Sequence, residues 1–365
     1  MCAALGLIWP AALPAQITIV AADMFNQPGQ YYKAYANATN NTSVSVSGML
    51  GTPGGPQLWD FTSGPAEVIY RFDYLAATNA LHCAAFVAVG AQMAEQKTDV
   101  SVAVPQAWLY FTQNPTMGRM TYGFYDPGFA AGIGGDQEQE VFSSALNDFP
   151  ATIQYGTAWS CSTTFTNTIT FGDPEDPSGG FFSMDLLIAY SATAIVDAYG
   201  LANSPGLDFG DCLRVNELVT YDISYDSGDG FEHLSTDYVR NYYWLRPGRG
   251  IIAQVTSQQS SGVPPDDNFL TAAAVLRMFE TNHRDSGAPD TGGGIQGFKM
   301  TLSKSGALLQ WTALPSVTRY RVDYSTNPAG GWQALGSTTT ANYTIDAAAG
   351  KPATPVRFYR VVGLP

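Results

Sequence analysis

The sequence predicts a mainly β protein whose larger, N-terminal part is antiparallel. Aromatic residues make up 13% of the chain and charged residues only 13%, with 37 Gly and 22 Pro. Aromatic side chains suit the pleated faces of sheets, and Gly and Pro supply turns. Short apolar runs such as ITIVAADMF, TSVSVSGML and DVSVAV are separated by these turn residues. With 365 residues, the chain is long enough for two domains.

The first 15 residues have the character of a secretory signal peptide. MCAALGLIWPAALPAQ is apolar and ends in small residues, like a hydrophobic region and its cleavage site. No Lys or Arg precedes Lys33, which a true start upstream of Met1 would explain. A buried N-terminal strand or helix is the alternative. No later segment has the ~20 apolar residues of a transmembrane helix, so we expect no transmembrane segment.

Residues 16–284 are predicted to form a β-rich extracellular domain. Its clearest unit is an antiparallel meander made by CLRVNELVTYDISY (212–225) and TDYVRNYYWLRPGRGIIAQVTS (236–257). Pro247 and Gly248 supply the fixed φ and the positive φ that a type II turn requires. The stretch LHCAAFVAVGAQMAEQ fits a helix or a buried strand equally well.

One late helix is expected over residues 266–281. Asp266 or Asp267 would provide its N-cap. The apolar residues that follow recur at helical spacing. They are Phe269, Ala273, Leu276 and Phe279.

A flexible linker is predicted over residues 285–297, followed by a second module over 298–365. The linker stretch, HRDSGAPDTGGGIQG, is rich in Gly, Pro, Asp and Ser. The module has six strand-like runs and resembles a fibronectin type III β-sandwich. The resemblance implies that Trp311 is the core tryptophan, with Tyr320, Val322 and Tyr359 on later strands. That fold normally has a seventh strand, so we expect an open sheet edge able to pair with another chain.

Residues 145–258 resemble a β-rich domain of bacterial secreted and surface proteins. The motifs, in order, are NDFPATIQYGTAWS, VDAYGLANSPGLDFGDCLRV and YYWLRPGRGIIAQVTS. Many proteins with this pattern look like cargo of the type IX secretion system, and the molecular role of the family is mostly unassigned. Arg246 stands where the family usually has Ala. The resemblance implies a protein that is secreted or held at the outer cell surface.

The net charge of the chain limits which classes of binding partner we expect. There are 31 acidic and 17 basic residues, giving a net charge of -14. Because phosphate binding needs clustered cations, nucleic acid is excluded as a partner, and an anionic membrane surface is disfavoured.

In an oxidising compartment we expect one disulfide among Cys83, Cys161 and Cys212, with the pairing open.

Catalytic motifs are weak, so an enzyme is not the first expectation. His82, His233 and His283 have no metal-binding spacing, and no GxSxG or phosphate-binding loop occurs. Glu67 and Glu217 are the strand acids closest to a glycosidase pair. No cofactor is required, although calcium is an alternative to solvated loops in three acidic turns. The calcium candidates are Asp173, Asp176, Asp226 and Asp229.

Alternation along DYVRNYYWL places Tyr238, Tyr242 and Trp244 on one face of a strand. Such a face either stacks on sugar rings or forms ordinary core. The leading hypothesis is therefore a secreted binding or structural protein, with a polysaccharide or other surface proteins as partners. Carbohydrate recognition and self-assembly both remain open, as does the oligomeric state. The alternative is an extracellular polysaccharide hydrolase with an accessory fibronectin-like module.

Overall fold

The mainly β prediction is confirmed by a computed structural model. It describes residues 17–133, 135–172, 181–283, 299–303, 306–311, 319–326, 332–335, 343–349 and 357–364. The predicted signal peptide (1–15) and linker (285–297) lie outside these residues. Neither of the helices in the described part of the chain has the length and apolar character needed to cross a membrane.

Most of the described strands belong to the first 283 residues. They are β1 (Thr18–Val20), β2 (Tyr31–Ala36), β3 (Val44–Ser45), β4 (Gly54–Asp60), β5 (Val68–Ala76), β6 (Met93–Asp99), β7 (Val104–Asn114), β8 (Gly118–Tyr125) and β9 (Gln139–Phe149). After these come β10 (Thr152–Gln154), β11 (Ala158–Gly172), β12 (Phe181–Ser204), β13 (Leu207–Asp226), β14 (Phe231–Arg246), β15 (Gly250–Ser257), β16 (Ser260–Ser261) and β17 (Thr271–Thr281). Two short helices, α1 (Ala84–Ala88) and α2 (Pro127–Ile133), and two 3-10 turns, Ala21–Asp23 and Ala77–Asn79, complete this part.

β1 and β10 pair in a separate two-stranded sheet, and the other strands of this part belong to one large sheet. Its order is β11-β12-β13-β14-β15-β17-β2-β5-β6-β7-β8-β9. The predicted antiparallel meander is present as β13, β14 and β15. Its turn also matches the prediction, because Gly248 has φ 64° and the Arg249 N–H donates to the Arg246 carbonyl at 3.1 Å. The stretch that fitted either helix or strand contains both, since α1 is followed directly by the start of β6.

The two ends of this sheet order, β9 and β11, lie side by side. The Ser144 N–H donates to Thr163 Oγ1 at 3.3 Å, and that hydroxyl donates to the Ser144 carbonyl at 2.9 Å. We call this β9–β11 junction the seam. The sheet therefore curves round on itself and encloses an inner face.

The helix predicted over 266–281 is wrong, because this segment contains strand β17. β17 pairs with β15 on one side and with β2 and β3 on the other. The Arg277 guanidinium on this strand is buried and donates to the Phe61 carbonyl at 2.9 Å. Hydrogen bonding along both edges of a central strand outweighs the helix propensity of the AAAVLRM run.

The expected disulfide is absent, and Cys83, Cys161 and Cys212 are free thiols. Cys161 lies opposite Ala192 on β12, whereas Cys212 lies opposite Gly200 on the same strand. Eight positions along a strand correspond to about 26 Å, far beyond the ~7 Å Cα separation that a disulfide tolerates. Cys83 precedes α1, away from both of these strands along the sheet order.

The C-terminal strands form two three-stranded sheets of their own. They are β18 (Lys299–Ser303), β19 (Gly306–Gln310), β20 (Arg319–Ser325), β21 (Gln333–Ala334), β22 (Tyr343–Asp346) and β23 (Phe358–Leu364). The sheet orders are β18-β19-β22 and β21-β20-β23. Trp311, Tyr320 and Val322 are buried in a shared core. The likeness to a fibronectin type III module stays a prediction.

Candidate functional site

The inner face of the large sheet lines a cavity of about 330 Å³ that is partly open to solvent, which we call the chamber. Its wall is made by residues of β5 to β9, α2 and β11 to β13. No single segment of the sequence contains it, because strands distant along the chain become neighbours only when the sheet curves. The chamber is the candidate functional site.

Aromatic rings form much of the chamber wall. Phe124 meets Phe129 of α2 edge to face, with ring centroids 5.0 Å apart, and meets Phe165 at 5.8 Å. Tyr190 and Tyr221 add an edge-to-face pair at 5.5 Å. Burial, helped by the nearby Glu217 carboxylate, raises the pKa of Tyr221 to about 12, and burial also raises the pKa of Tyr190 well above its usual value. Both phenols therefore stay neutral and keep their O–H donors at physiological pH.

Lys97 brings a cation into this aromatic wall. Its Nζ lies 4.3 Å from the centroid of the Tyr70 ring, within the range of a cation–π contact. Burial lowers the pKa of Lys97, opposed by the negative charges of Asp126, Glu95 and Asp99. No acceptor of the described residues forms a hydrogen bond with Nζ. The ammonium group thus has donors to offer to a bound molecule.

Asp148 contributes a carboxylate to the same wall. Arg119 approaches a single oxygen of this carboxylate, with Nη2 at 2.7 Å and Nε at 2.8 Å from Oδ2. The Thr121 hydroxyl donates to the same oxygen at 3.0 Å. The other oxygen, Oδ1, is buried and has no hydrogen-bond partner among the described residues. A buried acceptor without a donor is costly, so this oxygen favours a ligand or water that donates to it.

Two further carboxylates, Glu95 and Asp126, line the chamber. Glu95 Oε2 accepts a hydrogen bond from the Tyr74 hydroxyl at 2.5 Å. Burial and the charge of Glu95 raise the pKa of Tyr74 well above its usual value, so the phenol remains a donor. Together with Asp148, these acids face a single lysine, and the chamber lining carries a net negative charge.

Glu67 and Glu217, the predicted catalytic pair, do not share a site. Glu67 is exposed beside β5 and accepts from the Ala38 N–H at 2.8 Å and the Asn41 amide at 2.8 Å, which ties down a loop. Glu217 on β13 is only 7% exposed and accepts from Asn241 and Tyr243, each at 2.9 Å. Burial raises the pKa of Glu217, although these hydrogen bonds oppose the shift. Four strands separate β13 from β5 in the sheet, so the pairing is wrong.

Of the two interpretations of the Tyr238, Tyr242 and Trp244 face, a sugar platform or ordinary core, the structure agrees with core for Tyr242 and Trp244. Tyr242 is 1% exposed and Trp244 is 0% exposed, while Tyr238 is half-buried. The Trp244 ring packs edge to face against Phe61 at 4.7 Å. The segment around β4 covers this face of β14, so neither buried ring is available to a sugar.

The calcium candidates that can be located behave as turn residues. Asp226 Oδ1 accepts from the Gly228 N–H at 2.8 Å, as in an ordinary Asx turn, and Asp229 follows in the same turn. The third acidic turn is PPDDN at residues 264–268. It contacts the sheet through Asp267, whose carboxylate lies 2.9 Å from Arg240 Nη1. Asp173 and Asp176 lie outside the described residues. Within the described ranges, no group of three or more potential metal-ligating side chains occurs.

The chamber residues were not singled out in the sequence, although a signal was present. In MAEQKTD, positions 93–99, polar Glu95, Lys97 and Asp99 alternate with other residues, which places three charges on one face of β6. Alternation alone does not tell whether such a face is solvated or enclosed. No family model matches the chain, and no curated protein is significantly similar to it.

Proposed function

We propose that this protein binds a small saccharide, or one end of a polysaccharide, inside the chamber. One observation carries the proposal. The aromatic-lined cavity is bordered by Lys97 and Asp148, and among the described residues Lys97 Nζ has no hydrogen-bond acceptor and the buried Asp148 Oδ1 has no donor. A sugar hydroxyl both donates and accepts, so a single class of ligand satisfies both groups. Its C–H faces pack on aromatic rings, which provide most of the apolar contact in such pockets.

Other ligand classes fit less well. A purely apolar molecule would leave Asp148 Oδ1 and the Lys97 ammonium without partners, at a cost of about 1–3 kcal/mol for each buried group. An anionic ligand would meet Glu95, Asp126 and Asp148 in the same wall. A neutral polyhydroxylated ligand avoids both costs.

We further propose that binding takes place outside the cell or at its surface. The apolar leader and the resemblance of 145–258 to bacterial secreted proteins support this location. The acidic surface and the low lysine content suit contact with neutral polysaccharide rather than with nucleic acid. The remaining class of partner is other surface proteins, which this protein would bind through self-assembly.

Calorimetry on the 16–365 protein with a panel of mono- and disaccharides and p-nitrophenyl glycosides tests the binding role. We expect Lys97→Met and Asp148→Asn each to weaken the affinity of any saccharide that binds by at least tenfold. Tyr238→Ala, on the covered face of the sheet, is the matched control and should bind normally. If no saccharide binds, or if both chamber variants bind as well as the unaltered protein, the proposal is wrong.

A polysaccharide hydrolase is the second candidate, supported by a specific observation. Glu95, Asp126 and Asp148 converge on the wall of one cavity, which is the arrangement that carboxylate-dependent glycoside cleavage needs. The same saccharides should then be incubated with the protein and analysed for released sugars. Release that disappears in Asp126→Asn would identify the protein as a hydrolase, and binding without release would identify it as a binding protein.

A further inference from the structure

We propose that the C-terminal module of one copy of this protein docks on the acidic end of the large sheet of another copy. The contact would join the chain to itself head to tail. Saccharide binding in the chamber is not needed for it, because it depends on charge and exposed apolar side chains outside the chamber.

The charge of the chain is divided very unevenly between its two parts. Residues 298–365 contain seven Lys and Arg, two Asp and no Glu, a balance of +5. The whole chain has 17 basic and 31 acidic residues, so residues 1–297 hold ten bases and 29 acids, a balance of -19. Surfaces of such opposite charge attract each other when they belong to different copies. The body of one copy is thus a partner of matching charge for the module of another.

Two arginines stand on the outer face of the β21-β20-β23 sheet. Arg321 and Asp323 alternate along β20 with the core residues Tyr320 and Val322, so they point away from the core. Arg321 Nε donates to Asp323 Oδ1 at 3.0 Å, and Arg360 of β23 donates from Nε to Asp323 Oδ2 at 2.9 Å. Asp323 is buried. One carboxylate therefore holds two cations in place, and the group has a net charge of +1.

The ends of both guanidinium groups are available to a partner. The side chains of Arg321 and Arg360 are 43% and 39% exposed. Among the described residues, no acceptor forms a hydrogen bond with Nη1 of Arg321 or with either Nη of Arg360. Because the N–H groups of a guanidinium match the two oxygens of a carboxylate in geometry, these arginines suit exposed Asp and Glu side chains.

Two aromatic rings flank the arginines. Trp332 lies against Arg360, whose Cζ is 4.8 Å from the ring centroid. Phe358 is exposed and precedes Arg360 by two residues on β23, so it shares the outer face. Aromatic residues and Arg are enriched in protein–protein interfaces. We call the surface formed by Arg321, Trp332, Phe358 and Arg360 the module face.

The matching acidic surface lies at one end of the large sheet, where β11 and β13 end and β12 and β14 begin. Thr168 lies opposite Asp185 there, and Asp226 lies opposite Phe231. The segment before β9 reaches the same end, since the Asp136 N–H donates to the Thr168 carbonyl at 2.7 Å. Seven exposed acids form this surface, which we call the acidic rim: Asp136, Glu138, Asp185, Asp222, Asp226, Asp229 and Glu232.

No Lys or Arg accompanies the acids of the rim. None occurs in residues 135–140, 166–172, 181–187 or 221–236, where His233 is the one basic residue. Phe231 and Leu234 at the start of β14 are exposed, so the rim also offers apolar contact to the rings of the module face. The two surfaces thus combine opposite charge with exposed apolar side chains, which is the chemistry of a protein–protein interface.

Both surfaces are exposed within one chain and are therefore free for contacts between copies. Such a contact is heterologous, because the module face of one copy meets the rim of the next. Each pair keeps one module face and one rim unoccupied, so assembly continues beyond a dimer into chains or rings. Since exposed charges hold the copies together, added salt weakens the contact.

Sedimentation velocity of the 16–365 protein tests this assembly. At about 1–200 μM protein we expect the average mass to rise with concentration in about 20 mM NaCl and to fall to the monomer in about 500 mM NaCl. A protein that stays monomeric at low salt over this range would overturn the proposal.

One variant of each surface locates the contact. Phe358→Glu/Arg360→Gln alters the module face and leaves Arg321 to pair with the buried carboxylate. Asp229→Lys/Glu232→Lys alters the rim at exposed positions of a hairpin. We expect each variant to associate with itself at least tenfold more weakly than the unaltered protein. Variants that assemble unchanged would contradict the assignment of these surfaces.

Mixing the two variants separates a lost contact from misfolding. Each variant keeps one intact surface, so an equimolar mixture should form a dimer and no larger species. Failure to pair would overturn the proposal, since a module that docks on its own chain gives that result. The matched control is Asp60→Lys/Asp208→Lys, which reverses two exposed acids near the β12–β13 turn, at the opposite end of the sheet from the rim. It should assemble like the unaltered protein.

Discussion

Arg119 places two guanidinium nitrogens, Nε at 2.8 Å and Nη2 at 2.7 Å, beside one oxygen of Asp148, and the second oxygen of that carboxylate is buried without a hydrogen-bond partner among the described residues. An arginine and a carboxylate more often form two parallel bonds that use both oxygens. Here the Thr121 hydroxyl adds a third donor to the occupied oxygen. Asp148 is one of the residues that line the chamber.

Removing Arg119 should destabilise the fold through Asp148. Arg119→Met leaves a mostly buried carboxylate without its cation, and we expect a loss of about 3 kcal/mol in the free energy of unfolding. Urea denaturation at pH 7 measures it. The double variant Arg119→Met/Asp148→Asn should recover part of this loss because the unpaired charge is gone. No recovery would mean that Arg119 acts through packing on the Phe149 ring, whose centroid lies 4.9 Å away.

Glu140 should make stability depend on pH. Its pKa is raised from 4.5 to about 7 in the folded state, so the folded protein holds a proton that the unfolded chain has released. The stabilisation is complete below about pH 4.5 and is lost as the pH rises to about 7, with a total of about 3 kcal/mol. The difference in unfolding free energy between the unaltered protein and Glu140→Gln, measured at pH 4.5, 6 and 8, gives this quantity. A difference that stays constant with pH would contradict the prediction.

Trp244 should matter for stability and not for sugar binding. Because its ring is fully buried, Trp244→Ala is expected to cost about 3–5 kcal/mol in unfolding free energy. Tyr238→Ala, at a half-buried position of the same strand, should cost about 1 kcal/mol. If the Trp244→Ala variant has a normal melting temperature but loses saccharide affinity, the interpretation of this face as a sugar-binding platform would be supported instead.

Arg277 distinguishes the observed strand from the expected helix. Its guanidinium donates to the carbonyls of Phe61 and Gly64, at 2.9 and 2.8 Å. Arg277→Met should therefore cost about 2–4 kcal/mol, since buried acceptors lose charged donors. Lys33→Met, which breaks a surface ion pair with Glu280 on the adjacent strand, should cost under about 1 kcal/mol. If Arg277→Met and Lys33→Met lower the free energy of unfolding by the same small amount, the result would favour a solvated Arg277 on a helix.

The three thiols of the 16–365 protein should all be free. Alkylation with iodoacetamide in denaturant without reductant is expected to add three groups, detected by intact mass. Dithiothreitol should leave the melting temperature unchanged, because no cross-link constrains the unfolded chain. Two unmodified cysteines in the non-reduced sample would show a disulfide that the strand positions forbid.

Local patterns in the sequence determined much of the secondary structure. Alternating residues and turn chemistry predicted the β13–β15 meander and its Pro247–Gly248 turn, and the aromatic content predicted a mainly β protein. These features depend on neighbours within a few positions, which any single segment contains.

The tertiary structure alone decided which strands became neighbours and which faces were covered. The 271–281 run became a strand because partners on both sides satisfied its backbone, against its own propensity. Trp244 packs against Trp59 and Phe61, which lie 185 and 183 residues earlier in the chain, so the alternation along its own strand could not distinguish core from platform. Lys97 on β6 and Asp148 on β9 meet in one chamber only because the sheet curves until β9 lies beside β11. The physical reason is that the alternation of side chains along a strand defines its two faces. Only long-range pairing with other strands decides whether each face is buried in the core, lines a cavity or is exposed to solvent.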